Sequence, residues 1–452
     1  MLGYDNIQKA LGVDIVISSD MAKAILCWSK MYLNRSPWID DGIRGIGLPA
    51  AIASEHARLV TLESKIMFPD TLRGRYIDEQ FSSVRGMLPV YTEFGCAKGG
   101  FVMKPYVDGG NIAVDFVHAD DFFPVAFNGA GRVTSAIFPE YKKQGKKLYT
   151  RLECHELKGN EYRIVNRAFC SENASVTVNN IVNLGGEIPL DRIEEWQGLA
   201  PEVTIKGVDY PLFAYFKVPM ANSIDPHSPL GVSVYSRAVS LIQDADEQYG
   251  AAIWEFRSKE TAVQAGAEFF ERDRYNNIKL PAGKERMFQS FSDTTDKDKG
   301  LFNVFSPEIR DESFYRGLNR MLQRIEFNCG LAYGTLSDPQ TVDKTAEEIM
   351  FSKQRSYATV TSIQNALERT INDLVRAMDF WASYEGIAPS GECQASCSWD
   401  DSVTTDAETK RKRDREDVAA GIMAPWEYRM RHYGEDEETA KSRVPVPAGL
   451  IM

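Results

Sequence analysis

The sequence predicts an α+β fold, an antiparallel sheet flanked by helices, with a small insertion between two further helices. Three observations predict it. The apolar period is three to four residues up to about residue 80, two from about 88 to 215, and three to four again in the helical stretches on either side of 260–305. Glycine-centred turns punctuate the middle stretch. Two of the later helices open with the same grammar, Ser228-Pro229 and Ser306-Pro307.

Residues 1 to about 80 read as helices and loops. "SSDMAKAILCWSKMYL" offers Ser18 or Ser19 as a cap and places Met21, Ile25, Trp28 and Tyr32 on one face. "LPAAIASEHARLVTLESKIMF" reads as a second helix of the same kind. In the next stretch Gly109-Gly110 marks a hairpin. "NGAGRV", "KKQGKKLY" and "LKGNEYRI" mark further turns. The pattern predicts an antiparallel meander of about eight strands, which needs helices on one face.

From Ser228-Pro229 the sequence predicts a helix to about Ser258. Its apolar stripe is Tyr235, Ala238, Val239, Ile242, Ala245, Tyr249, Ala252, Ile253 and Phe256, with Asp244, Asp246, Glu247 and Glu255 off it. Residues 260–305 read as a small, mostly β insertion. A second helix follows Ser306-Pro307, with Phe314, Leu318, Met321, Leu322 and Ile325 as its stripe and a stop at Gly330. The loop "LAYGTLSDPQTVD" leads to a helical pattern from about Lys344 to Tyr384. Met350, Tyr357, Val360, Ile363, Leu367, Ile371, Leu374 and Met378 mark its inner side. At 1.5 Å per residue it spans roughly 60 Å, so either a kink or a large assembly is expected. "GECQASCSWDDSV" reads as a strand with Cys393 and Cys397 on one face, and the tail from about 404 as short charged helices.

Composition bounds the function. The chain has 452 residues, 43% hydrophobic, enough for two or three domains. Its net charge of -12 argues against a duplex-gripping protein, because phosphate affinity comes mainly from Lys and Arg. The seven cysteines form no C-x-x-C pair and there are five histidines, which argues against zinc and against a disulfide framework; a reducing compartment is expected. The N-terminus has no basic-then-apolar signal pattern, and no apolar run approaches the roughly 20 residues of a membrane span, so a soluble protein is expected.

The short motifs are weak. "GIGLPA" fits a dinucleotide-binding spacing, but no predicted strand precedes it, and Pro49 at a helix start explains its composition. There is no G-x-x-x-x-G-K-[ST]. Asp115, His118, Asp120 and Asp121 are raw material for a metal-dependent hydrolase, or else a strand end capped by aspartates before Pro124. "KRKRDRE", from Lys410 to Glu416, is either a phosphate contact or the solvated face of a helix. No catalytic constellation emerges and no cofactor is expected.

The order of elements, with its wording, resembles the portal proteins of tailed bacteriophages, closest to the siphovirus branch. The resemblance covers nearly the whole chain. It rests on "FKVPMANSIDPHSPLGVSVYSRAVSLIQDADEQY", "SPEIRDESFYRGLNRMLQRIEFNCGLAYGTL", "KTAEEIMFSKQRSYATVTSIQNALERTINDLVRAM" and "GIMAPWEYRMRHYGEDEETA". It implies a portal fold. Residues 1–220 would be the wing, 221–259 the first stem helix, 260–305 the clip, 306–330 the second stem helix and 331–343 the tunnel loop. Residues 344–403 would be the long wing helix with a returning strand, and 404–452 the crown.

The resemblance further implies a homo-oligomeric ring of about twelve copies at one capsid vertex. Double-stranded DNA would pass through it without sequence preference. The terminase and a head-tail adaptor would dock on the clip, and the major capsid protein and scaffold would surround the ring. The place would be the virion, and the host cytoplasm during assembly, with no membrane and no enzymatic activity. An acidic lumen with a few cations would let DNA slide. By position, Arg257, Lys259, Arg324 and Lys344 are the channel candidates. Tyr333, Gly334, Thr335, Leu336, Asp338 and Pro339 belong to the tunnel loop, which carries no Lys or Arg and which the resemblance implies to be mobile. Phe269, Phe270, Arg274, Lys284 and Phe288 are the clip candidates. Another ring-forming connector, or a hydrolase using Asp115, Asp120 and Asp121, remain alternatives.

Overall fold

Ser18 caps the first long helix, its Oγ accepting from the Met21 N–H. In the computed structural model this helix follows α1 (Tyr4–Leu11) and is α2 (Ser19–Tyr32). The structure describes residues 4–40, 42–62, 64–172, 184–258, 262–266, 271–275, 277–279, 288–291, 302–305, 311–338, 346–399 and 407–444. The fold is α+β. Met21, Ile25 and Trp28 are buried, as the spacing predicts. Helix α3 (Leu48–Thr61) begins after Gly47 with Pro49 in its first turn and no strand before it. It ends earlier than predicted, because Ser64–Met67 is a strand, β1.

Helix α4 (Leu72–Lys98) corrects the expectation of strand from residue 88. Val84, Leu88, Thr92 and Cys96 recur every four residues and are all buried, a helical face that continues past Pro89. Gly99 ends the helix at a φ of 94°, where glycine is favoured. Strands β2 (Gly100–Asp108) and β3 (Asn111–His118) form the predicted hairpin about Gly109-Gly110. There follow β4 (Phe123–Phe127), β5 (Val133–Gln144), β6 (Lys147–Lys158), β7 (Glu161–Ser171), β8 (Gly186–Ile188), β9 (Glu202–Lys206) and β10 (Ala214–Lys217).

These strands are not one meander. β10-β2-β3 is one antiparallel sheet; β4-β5-β6-β7-β8, with β9 on β7, is another. The split coincides with two apolar cores that meet at β5, whose Ala136 and Phe138 sit in the main core while Ile137 sits in the other. Phe101, Met103, Ala214 and Phe216 join the main core with α2, α3 and α4. Ile137, Leu152, Val165 and Phe169 face α1 through Ile7 and form their own cluster.

Helix α5 (Val239–Ser258) starts ten residues later than Pro229 predicts. Leu230, Val232 and Val234 are buried in an irregular segment that ends in a 3-10 turn, Ser236–Ala238, instead. The Val234 N–H donates to the Cys96 carbonyl at 2.9 Å, and Gly231 packs so closely that a Cβ there would stand 2.1 Å from the Gly99 oxygen. Burying each of these aliphatic side chains is worth roughly 1.5–3 kcal/mol, against about 1 kcal/mol for a cap, so tertiary burial prevails. Within α5, Ile242, Ala245 and Ala252 are buried, but so are Asp246 and Glu255, which the stripe had placed outside.

Strands β11 (Ala262–Gly266), β12 (Glu271–Arg272), β13 (Ile278–Lys279), β14 (Phe288–Phe291) and β15 (Phe302–Phe305) form the described part of the insertion. β11 is central, parallel to β14 and antiparallel to β15; β12 and β13 pair separately. Helix α6 (Asp311–Cys329) then packs antiparallel on α5: Phe256 meets Tyr315 at 6.4 Å, and Gln248 lies against Gly317. Ser306-Pro307 falls outside the described residues.

Helix α7 (Ala346–Tyr384) is 39 residues long and unbroken. Val360, Ile363, Leu367, Ile371, Leu374 and Met378 are buried in the main core, whereas Tyr357 is 38% exposed. The side chain of Met350 lies outside the described residues. Strand β16 (Ser396–Trp399) pairs antiparallel with β1, the β-pairing that the "SKIM" segment satisfies. Cys393 is buried ahead of β16 and Cys397 lies in it, so the two do not share a strand face. All seven cysteines are free. The tail forms α8 (Ala407–Ala419), α9 (Pro425–Tyr433) and α10 (Glu437–Ser442). Among the described residues no helix is long and apolar enough to cross a membrane.

Candidate functional site: the paired helices and their loop

The α5/α6 pair leaves the main core at one end and meets the β insertion at the other. Tyr235, Ala238, Ile242 and Ile325 root it in the core. Toward the insertion its aromatic side chains lose cover: Trp254 is 67% and Tyr315 50% exposed. The root is tied by Asp246, whose carboxylate accepts from the Trp38 Nε1–H at 2.9 Å and the Ile46 N–H at 2.8 Å. Burial raises this carboxyl above the usual range, while the two donors pull it back. Sequence reasoning placed Asp246 outward because its partners lie two hundred residues away.

Of the four channel candidates, Arg324 is on α6 and exposed. Arg257 lies in the last turn of α5, and its side chain is outside the described residues, as are Lys259 and Lys344 altogether. Of the four, only the Arg324 side chain is among the described residues. In the insertion, Arg274 is exposed in the 273–277 turn, where Asp273 accepts from the Tyr275 and Asn277 N–H groups, each at 2.8 Å. Phe288 lies in β14 opposite Val263. Phe269, Phe270 and Lys284 lie outside the described residues.

The loop after α6 is described to Asp338; Pro339 is not. Gly330, at a φ of 74°, ends the helix, and a Cβ there would stand 2.5 Å from Thr359 Oγ1. Tyr333, Gly334, Thr335 and Leu336 then curl back over the helix end. Glu326 is fully buried beneath them. Its Oε1 accepts from the Leu336 N–H at 2.6 Å and the Ser337 N–H at 2.8 Å, and its Oε2 from the Ser337 hydroxyl at 2.9 Å. The Asp338 N–H donates to Asn319 Oδ1 at 2.7 Å. The Arg355 guanidinium lies over the Phe327 ring at 4.0 Å and near Tyr333 at 5.9 Å. Beside them His56, wholly buried, holds its Nε2 2.9 Å from the Cys329 carbonyl, and burial lowers its pKa to about 4. A Glu three residues before the end of an amphipathic helix gave no sequence signal of its own; a nearby Ser and Gly in a short loop were the only hint.

The carboxylates of "VDFVHADD" are otherwise engaged. Asp120 accepts from Lys98 Nζ with both oxygens, at 2.8 and 2.9 Å, and from Ser29 Oγ at 3.1 Å. This part-buried pair ties α2 and α4 to the turn after β3. Asp115 stands 3.7 Å from Lys104. Burial and neighbouring Asp120 push the Asp121 carboxyl up to about 6, and burial with Lys98 lowers His118 to about 4. Asp115 and Asp121 line a cleft of about 770 Å³ between the two sheets, floored by Lys104, Glu153 and Arg151. Among the described residues no group of three or more His, Cys, Asp or Glu side chains could hold a metal. In α8, Arg411, Lys412, Arg413 and Arg415 are exposed, while Asp414 is buried against His432 at 2.7 Å. Over 411–416 the basic run is thus a solvated surface pinned by one inward aspartate.

No family model and no curated protein matches this chain. Among solved structures it aligns with "Neck of native GTA particle computed with C12 symmetry", over 95% of this chain and 97% of that one, at a TM-score of 0.43 and 10% identity. A likeness at that level carries no argument about what this chain does.

Proposed function

We propose that this chain is a portal-type subunit, a non-catalytic protein that forms a ring of about twelve copies at one capsid vertex. The observation that carries the reading is the ordered arrangement of one helix, a small β unit, an antiparallel partner helix, a short loop and a 39-residue helix. That order is the one the resemblance implies for stem, clip, stem, tunnel loop and wing helix. A 67%-exposed indole on α5 supports it, because neighbouring copies would cover that surface.

In this reading duplex DNA passes along the ring axis during packaging and ejection. The net charge of -12 weakens the grip on phosphate, and isolated cations, Arg324 among them, temper the repulsion. Residues 260–305 dock the terminase and then a head-tail adaptor, and the wing meets the capsid protein and scaffold. Assembly takes place in the host cytoplasm and the product resides in the virion. The hydrolase alternative loses support because Asp120 is bound to Lys98 and Ser29.

Native mass spectrometry of the purified chain, with end-on electron micrographs, tests the reading. A closed ring of about twelve copies around a central hole is expected. A monomer or dimer that persists when capsid and scaffold proteins are co-expressed would overturn it. A ring whose Arg324→Ala variant packages and retains DNA normally would favour a connector outside the packaging step.

A further inference from the structure

We infer that Glu326 is a latch that holds residues 332–338 as a fixed extension of α6. Three donors from the loop converge on this one carboxylate: the Leu336 and Ser337 N–H groups and the Ser337 hydroxyl. Glu326 is fully buried, and among the described residues it forms no ion pair. The loop thus supplies the three donors that a buried carboxyl needs. Hydrogen bonds to a charged acceptor are worth roughly twice neutral ones, and a buried carboxylate stripped of its donors is strongly unfavourable.

The loop cannot peel away one bond at a time. Lifting Leu336 and Ser337 would leave Glu326 buried without donors, so release must be concerted with exposure of the helix end. Further contacts act in the same sense. The Thr335 hydroxyl donates to the Ala332 carbonyl at 2.6 Å, the Gly334 N–H donates to Ser337 Oγ at 3.3 Å, and Asn319 receives the Asp338 N–H from the previous turns of α6. Leu336 packs on the main core. His56 holds the Cys329 carbonyl from α3, and Arg355 covers Phe327 and Tyr333 from α7. The loop is thereby tied to α6 and α7, and the helix end beneath it to α3.

The latch stands apart from the portal reading; what rests on that reading is its consequence. In a ring, Tyr333, Thr335 and Leu336 would form a fixed shoulder of the channel, and any loop movement coupled to DNA would begin beyond Asp338 or require Glu326 to let go. This departs from the mobility that the resemblance implies for the whole loop.

Hydrogen–deuterium exchange on the full chain tests the latch, using peptides across 331–338. The wild-type amides of Leu336 and Ser337 should exchange at least about a hundredfold more slowly than free chain. Glu326→Ala should raise their exchange by tenfold or more, with peptides from the middle of α7 unchanged. Ser337→Ala, which removes only the hydroxyl, should raise it about three- to tenfold and confine the change to 332–338. Glu326→Gln, which keeps one acceptor oxygen, should fall between wild type and Glu326→Ala. Fast exchange at 336–337 in the wild type would overturn the inference. So would Glu326→Ala that leaves them protected. If Glu326→Ala fails to fold, Ser337→Ala decides: unchanged exchange at 332–338 would overturn the latch. Failure to form a ring would refute the portal reading and leave the latch untouched.

Discussion

The Trp38 indole N–H and the Asp246 carboxylate are joined at 2.9 Å across two hundred residues of chain, and the same carboxylate takes the Ile46 N–H. One buried side chain thus fastens the 38–46 loop to the root of α5. Asp246→Ala would leave the indole and one backbone N–H without a partner. The expected loss is about 2–4 kcal/mol, read as a lower urea midpoint with an unchanged slope. Asp246→Asn keeps one acceptor and should lose less than half as much.

Arg73 is 2% exposed and reaches four acceptors around the end of α7. Its Nε meets Asp379 Oδ1 at 2.7 Å, its Nη2 the Asp379 carbonyl and Ser383 Oγ at 2.6 Å each, and its Nη1 the Pro389 carbonyl at 3.0 Å. A lysine ammonium cannot span that fork. Arg73→Lys and Arg73→Ala should both destabilise, by roughly 3–5 kcal/mol for the alanine, as judged by thermal unfolding.

His56 gives a pH signature. Burial holds its folded pKa near 4, below the ordinary unfolded value near 6.5. The unfolded chain therefore binds the extra proton first, and the stability this group contributes is present above about pH 6.5 and is lost as pH falls toward 4. His56→Gln, which can still donate to the Cys329 carbonyl, should lack this component. Asp121, raised to about 6, pushes the opposite way in the same window. The measurement is therefore the difference between wild type and variant in unfolding free energy from pH 7 to 4.5. Equal pH dependence of the two proteins would refute the assignment.

Gly330 has two reasons to be glycine, its φ of 74° and the nearby Thr359 hydroxyl. Gly330→Ala should cost about 1–3 kcal/mol. Adding Thr359→Ala should recover the steric part and leave the backbone part, a coupling that a double-mutant cycle of melting temperatures would read out.

Trp254 tests the exposed flank of α5. If neighbouring copies cover it, Trp254→Ser should shift the assembly equilibrium toward monomer by at least tenfold while leaving the monomer's unfolding midpoint within error. Mass photometry across a concentration series would measure the shift. An unchanged distribution would place the interface elsewhere.

Much of the architecture could be read from periodicity because the elements concerned bury one clean face. The 39-residue helix, the Gly109-Gly110 hairpin, the Ser18 cap and the Gly330 stop all follow from spacing and turn chemistry. The misreadings share a cause. Pro229 is a good helix starter, yet Val232 and Val234 find a buried groove against Gly99, and their burial outweighs the local signal. Residues 88–98 carry a helical face that Pro89 and Gly95 obscure.

The sequence alone determined the α+β class, the order of helix, sheet, helix pair and long helix, and the turns that need glycine, because each is set by neighbours a few residues apart. Only the tertiary structure decided where α5 begins, why the strands divide into two sheets, and which carboxylates turn inward. Asp246, Glu326 and Asp120 are polar residues whose local pattern points to solvent. They are buried because donors from distant segments converge on them, and a buried carboxylate is tolerated only where such donors meet.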